Sequence, residues 1–246
     1  MLVNHRHKFL FVHIPKTAGG AIRTFNRQRL VRWYGKGWEE VGAAHAPLTR
    51  EIAARYAGYF KFAVLRNPWK LVASGYRFAT QGISRNKKTG QLRQRNITML
   101  EWLKELVPGH GSDPFPWPFP CQVDYVSDAN GMLVDQICRH EQLAADIRRI
   151  LERLDLPAHA EDWEQPTRHF YGEYDWTEHF ADPEVRAMVW KLCRKDFAYN
   201  PEWERLDPVT SAAPRIKSAP QRAAKSQVPA PVPEESDGEN FCAAGG

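Results

Sequence analysis

FVHIPKTAGGAI, Phe11 to Ile22, passes from an apolar stretch through a proline, a lysine and a threonine to two adjacent glycines, where a helical pattern begins. The run Lys8 to Ile14 is apolar, β-branched and aromatic, which predicts a buried strand. Gly20 to Val31 predicts a helix with Ile22, Phe25 and Leu30 facing inward. Backbone N–H groups at a helix start, approached through glycines, make an anion site. Pro15 ends the strand, Gly19 and Gly20 permit a tight turn, and Lys16 adds a mobile positive charge. Taken alone, the same residues also suit an ordinary strand-to-helix turn that carries a surface lysine.

Further along, the pattern repeats. Glu40 to His45 is a short strand candidate, Leu48 to Ala57 a helix, and Tyr59 to Leu65 a second strand. Asn67 and Pro68 then open another helix, with asparagine as cap and proline at the first helical position. Thr98 and Glu101 form a capping box that starts a helix to Val107. Glu141 to Leu154 is amphipathic and helical, and Asp182-Pro183-Glu184 opens a helix running to about Arg194. Strands alternating with helices predict an α/β fold with a parallel sheet flanked by helices. Gly82 to Arg95 holds Arg85, Lys87, Lys88, Arg93 and Arg95 with no acidic residue and little apolar content, and reads as a mobile loop. It suits either a solvated basic loop or a holder of an anionic glycan. Ser112 to Pro120 is a proline-rich connector that still carries aromatics, and it is expected to lie against the body. After Pro208 the composition shifts to Ala, Pro, Ser and Lys, so residues 1–206 are expected to form one domain and 207–246 a disordered tail.

The 246 residues, 43% of them hydrophobic and nine of them tryptophan, suffice for one good-sized core. The tryptophans suit core packing, or stacking on sugar rings. The formal charge is +5. The tail sets Arg215, Lys217, Arg222 and Lys225 against Asp207, Glu234, Glu235, Asp237 and Glu239, so the positive excess belongs to the rest of the chain. A modest excess favours anionic ligands without naming one. Cys121, Cys138, Cys193 and Cys242 show no metal-ligand or redox spacing and read as scattered free thiols of a reducing compartment. The apolar run near the N-terminus is too short for a signal peptide or a membrane span. A soluble, cytoplasmic protein is expected, with no stable membrane insertion.

A nucleotide triphosphatase loop reads G-x-x-x-x-G-K-[ST], with its last hydroxyl on Mg²⁺. Here no such glycine precedes Lys16, and the lysine stands at the loop entrance. The second strand of such enzymes often ends in an aspartate that helps hold the metal, whereas this one ends in Arg66. A cation at that point predicts an anion receptor, hence a nucleotide bound without Mg²⁺. Arg66 falls at a strand's carboxyl edge, where open α/β sheets bind ligands. Ser74 follows two turns into the next helix and offers a hydroxyl to an anionic oxygen. A surface ion pair for Arg66 and helix packing for Ser74 are the alternatives.

HIPKTAGG and RNPWKLVASGYRF, with Ser74 eight residues after Arg66, together resemble the 5′-phosphosulfate loop and the 3′-phosphate motif of P-loop-like carbohydrate sulfotransferases. That family uses 3′-phosphoadenosine-5′-phosphosulfate (PAPS). Weaker matches are QVDYVSDANGMLV from Gln122, Arg139-His140-Glu141, and the stretch from Tyr174 that ends in KDFAYN, so the resemblance covers roughly Lys8 to Glu204. It implies a P-loop-NTPase-like sulfotransferase fold, PAPS as donor, 3′-phosphoadenosine 5′-phosphate (PAP) as product, and no metal. By position, Lys16 would contact the bridging oxygen of the leaving phosphate. Thr17, Ala18, Gly19, Gly20 and Ala21 would wrap the 5′-phosphosulfate, and Arg66 and Ser74 would grip the 3′-phosphate. The family usually has Thr or Ser where this chain has Gly20, so one hydroxyl contact is missing.

The acceptor would be a hydroxyl, on a carbohydrate or another molecule, and needs a base. His45, in VGAAHAPL, is expected at a strand end near the cradle, and some glycan-modifying members of the family use a histidine in a similar segment. Glu39, Glu40 and Glu51 are the alternative bases, and His13 points toward the cradle entrance. Two rival readings stand beside this one: a Mg-dependent nucleotide kinase or hydrolase, and a polyanion-binding module. Loop order and Arg66 weigh against the first. No recognised nucleic-acid module supports the second, and no nucleic-acid partner is expected.

Overall fold

A computed structural model describes residues 1–19, 22, 37–43, 45–85, 92–94, 96–106, 121–156 and 175–206. Five strands make the central sheet: β1 (Leu2–Asn4), β2 (Phe9–Val12), β3 (Trp38–Glu40), β4 (Phe60–Leu65) and, far along the chain, the strand Gln136–Arg139. Their order across the sheet is β3, β1, β2, β4, then Gln136–Arg139. β2 runs parallel to β4, with Phe9 opposite Phe60 and Val12 opposite Ala63, and β4 runs parallel to Gln136–Arg139, with Leu65 opposite Arg139. The parallel sheet read from the sequence holds for these three strands only. β1 pairs antiparallel with both β2 and β3, which makes the sheet mixed. His5 to Lys8 turns the chain straight back on itself, and such a direct return pairs β1 antiparallel with β2.

Side chains alternate across the pleat, and both faces of β2 and β4 are apolar, as a sheet covered on both sides demands. Phe9, Phe11, Phe62 and Val64 pack with Ile22 and with Ile147, Ile150 and Leu151 of the helix Leu143–Arg153. Leu10, Val12, Ala63 and Leu65 face the other way. There they meet Trp69, Val72 and Ala73 of the helix Pro68–Thr80, Met99, Trp102 and Leu103 of Met99–Leu106, and Val185 and Val189 of Pro183–Leu192. Of the six described tryptophans, Trp69, Trp102 and Trp203 are core residues, Trp38 and Trp176 pack partly buried against the core, and Trp190 is exposed.

Local chemistry places the helix starts as the sequence reading expects. The Asn67 side chain accepts from Trp69 N–H at 3.0 Å. Thr98 and Glu101 close their capping box, Thr98 N–H donating to Glu101 Oε2 at 2.7 Å and Glu101 N–H to Thr98 Oγ1 at 3.2 Å. Asp182 caps Pro183–Leu192 through Glu184 N–H. The basic segment differs from its reading as a loop throughout: Gln81–Arg85 and Leu92–Gln94 pair antiparallel as a two-stranded ribbon. Ladder bonds between backbones need no apolar side chains, so composition alone concealed it. Cys121, Cys138 and Cys193 are buried free thiols. The helix expected from Gly20 to Val31, the connector Ser112 to Pro120, the tail 207–246 with Cys242, and Trp33, Trp117 and Trp163 lie outside the described residues, except that Ile22 is helical.

Leu10 is fully buried on the central strand. Leu10→Ala is expected to lower unfolding free energy by about 2–5 kcal/mol through lost contacts and a residual cavity, measured as a shifted midpoint in urea titration with an unchanged slope.

Candidate functional site

The three parallel strands end side by side, so the segments that follow them share one sheet edge: Ile14 to Gly19 after β2, Arg66 and Asn67 after β4, and His140 and Glu141 after Gln136–Arg139. This is where open α/β sheets hold ligands. Lys16 and Ala18 adopt left-handed backbone, with φ of 62° and 79°. Such geometry costs a non-glycine residue about 1–3 kcal/mol and clusters at ligand clamps. Left-handed residues alternating with ordinary ones turn successive N–H groups toward one concave side, the geometry of an anion nest. Ile22 N–H donates to Ala18 O at 3.0 Å, which marks the start of the helix.

Glycine plays a different part from the one the sequence suggests. Gly19 does not have a positive φ; a Cβ there would lie 1.7 Å from the His13 imidazole. The residue is glycine because the His13 ring occupies the place that a Cβ would take. Thr17 is buried, and its hydroxyl donates inward to Ile14 O at 3.0 Å, so it braces the loop from behind. Gly20 and Ala21 are outside the described residues.

Lys16 and Arg66 come together. The Arg66 guanidinium donates to Lys16 O at 3.1 Å. The Lys16 ammonium stands 4.2 Å from the centroid of the Phe78 ring. Burial, and then the neighbouring Arg66 charge, push the Lys16 ammonium down from 10.5 to about 8. Two cations drawn into one partly buried site raise each other's cost unless an anion joins them. Phe78, Ser74 and Lys70 are spaced four residues apart on Pro68–Thr80 and so share a face of that helix. The contact of Lys16 with Phe78 therefore turns the cradle toward the face that carries Ser74, which is half-buried. Behind Arg66, burial and the charges of Arg66 and Lys70 push His140 down to about 3, which leaves a neutral imidazole there near neutral pH.

Arg66 is held from its own backbone. Its N–H donates to Gln122 Oε1 at 2.8 Å, and Gln122 Nε2 donates back to Arg66 O at 2.8 Å. Gln122 in turn donates to Asp196 at 3.0 Å, and Asn67 N–H donates to Glu141 at 3.0 Å. In the sequence, Gln122, Glu141 and Asp196 stand only within the weaker of the matching stretches. The stretch KDFAYN does carry one signal, a charged residue inside an apolar helical pattern.

His45 meets His13. The strand expected to reach His45 stops at Glu40, and His45 lies in the turn that follows, where Ala46 N–H bonds Ala43 O at 3.1 Å. The rings of His13 and His45 are 4.4 Å apart, and His45 Nδ1 is 3.3 Å from His13 O. Since His13 also covers Gly19, His45 stands at the mouth of the cradle. Of the alternative bases, Glu39 is engaged by His5 at 2.8 Å and by the Tyr56 hydroxyl at 2.9 Å, and Glu51 is exposed in the first turn of Arg50–Arg55. Among the described residues no group of three His, Cys, Asp or Glu side chains is placed to hold a metal ion. No helix among them is long and apolar enough to cross a membrane.

The chain is similar to a carbohydrate sulfotransferase. Over 215 residues it is 25% identical to carbohydrate sulfotransferase 14 of Danio rerio, a match that covers 70% of this chain and 55% of that relative. The chain thus spans about half the length of the curated relative it matches. No protein-family model matches it, and no solved structure does.

Two outcomes test this geometry without any ligand. In protein labelled with ¹³Cε-lysine, Lys16 is expected to titrate near pH 8 and to move part of the way up in Arg66→Ala, since burial, the larger cause of the shift, remains. Because its folded value lies below its unfolded one, the group's contribution to stability rises with pH between about 8 and 10.5; a lysine titrating normally in both proteins contradicts the pairing. Gly19→Ala is expected to cost about 1–3 kcal/mol by overpacking against His13. His13→Ala should recover much of that loss in the double variant, whereas additive effects would mean the two do not touch.

Proposed function

We propose that the chain is a sulfotransferase that moves a sulfuryl group from PAPS to a hydroxyl, with a carbohydrate as the acceptor. The observation that carries this reading is the convergence of Lys16 and Arg66 at the strand ends, two cations from separate motifs within one site. The likeness to a carbohydrate sulfotransferase supports it. A donor with a phosphosulfate at one end and a phosphate at the other offers an anion to each motif.

On this reading the N–H groups of Thr17, Ala18, Gly19, Gly20 and Ala21 cradle the 5′-phosphosulfate. Arg66 and Ser74 take the 3′-phosphate. Lys16 stays at the oxygen that bridges sulfur and phosphorus, where negative charge grows as that bond breaks. An anion beside Lys16 raises its pKa again, so the lysine is protonated when the donor is bound. His45 Nδ1–H, donating to the His13 carbonyl, fixes the tautomer in which Nε2 is basic. Nε2 then takes the acceptor hydroxyl's proton while the acceptor oxygen bonds sulfur and PAP leaves with the bridging oxygen. The chain's own residues supply charge stabilisation and positioning, the main terms for an in-line transfer.

Incubation with ³⁵S-labelled PAPS and a panel of desulfated polysaccharides and simple sugars is the direct test, and label is expected in one of them. Lys16→Ala should lower kcat by roughly 10²–10³-fold, the usual cost of a charge-stabilising donor, and His45→Ala by roughly 10²–10⁴-fold, that of a general base. PAP without Mg²⁺ should raise the melting temperature. ATP-Mg raising it while PAP does nothing would replace this reading with a kinase; unchanged turnover in His45→Ala would move the base elsewhere.

A further inference from the structure

Arg66 stands one residue beyond the β4 ladder, where its backbone N–H and C=O run out of strand partners in the register with Gln136–Arg139. The Gln122 amide supplies both partners, its oxygen accepting from Arg66 N–H and its nitrogen donating to Arg66 O, each at 2.8 Å. Gln122 is 1% exposed, so this is an internal clamp. Its orientation is fixed by Asp196, which is fully buried. Asp196 Oδ2 accepts from Gln122 Nε2 and Oδ1 accepts from Val123 N–H, both at 3.0 Å. With its nitrogen committed to two acceptors, the amide cannot flip. A buried carboxylate is expensive to keep unless it is hydrogen-bonded, and burial pushes Asp196 up to about 6. Both oxygens of this carboxylate are spent on the short helical turn that carries Gln122.

We propose that Gln122 and Asp196 are positioning residues that lock the Arg66 backbone, and through it the guanidinium, for the 3′-phosphate of the donor. This rests on the sulfotransferase reading above. Neither side chain needs to touch the nucleotide. The two lie 74 residues apart in sequence and meet only because the helix Arg194–Tyr199 packs on the turn Gln122–Tyr125.

The test compares two probes, PAP and adenosine 5′-monophosphate, which differ by the 3′-phosphate alone. Affinities are measured by calorimetry for wild type, Arg66→Ala and Gln122→Glu. Gln122→Glu keeps the size but sets a carboxylate oxygen against the Arg66 carbonyl and against Asp196. It is expected to weaken PAP by roughly tenfold to a hundredfold, the worth of one charge-assisted hydrogen bond, while adenosine monophosphate stays within about twofold. A general loss of structure would weaken both probes alike, and that result overturns the proposal, as does equal and unchanged affinity for both. If Gln122→Glu does not fold, Asp196→Asn is read in the same way, since its amide nitrogen meets a donor at one of its two contacts. Arg66→Ala separates the two levels. If it abolishes the preference for PAP and neither clamp variant does, the clamp fails and the sulfotransferase reading stands. Wild-type protein that binds both probes equally sinks both.

Discussion

Parallel pairing of β2 with β4 sets Lys16 and Arg66 beside each other, and most of what the site can do follows from bringing these two cations into one partly buried place. Either cation alone would be an unremarked surface charge. Together, partly buried and with the lysine already pushed down to about 8, they make a site whose electrostatic strain an anion relieves. The strand register matters here: β2 ends at Val12 opposite Ala63, two residues before β4 ends at Leu65, so the segments that carry Lys16 and Arg66 leave the sheet at one edge. The third parallel strand brings His140 and Glu141 to the same edge, where burial and the charges of Arg66 and Lys70 keep His140 neutral and Glu141 accepts from Asn67 N–H.

Rigidity around that charge pair comes from ordinary packing turned to a specific end. The His13 ring fills the space a Cβ would take at Gly19, and the His13 backbone carbonyl meets His45 Nδ1. The turn that would hold an anion and the histidine that would take a proton therefore share one support. Thr17 braces the loop through Ile14, and the Phe78 ring of the neighbouring helix receives the Lys16 ammonium. Left-handed backbone at Lys16 and Ala18 is tolerated because these contacts over-determine it.

Much of this was legible in the chain because its signals are local. The strand-stop-lysine order before Gly19, the cation after Tyr59 to Leu65, and the caps at Asn67, Thr98 and Asp182 each rest on a few adjacent residues and their own hydrogen bonds. What escaped the reading was non-local. β1 and Gln136–Arg139 are three or four residues long, and their strand character comes from the neighbours they pair with. The ribbon inside the basic segment is a backbone feature that composition does not register. The reason for glycine at 19 lies in His13, six residues away and across a turn. Gln122 and Asp196 gain their role by tertiary contact, and polar residues in apolar stretches signal only that some buried partner exists.

A crystal structure with PAP tests the central claim most directly. The Lys16 ammonium is expected within hydrogen-bonding distance of the 5′-phosphate, and the Arg66 guanidinium on the 3′-phosphate, of one nucleotide at the strand ends. A nucleotide bound elsewhere, or one that leaves Lys16 and Arg66 in solvent, would contradict it.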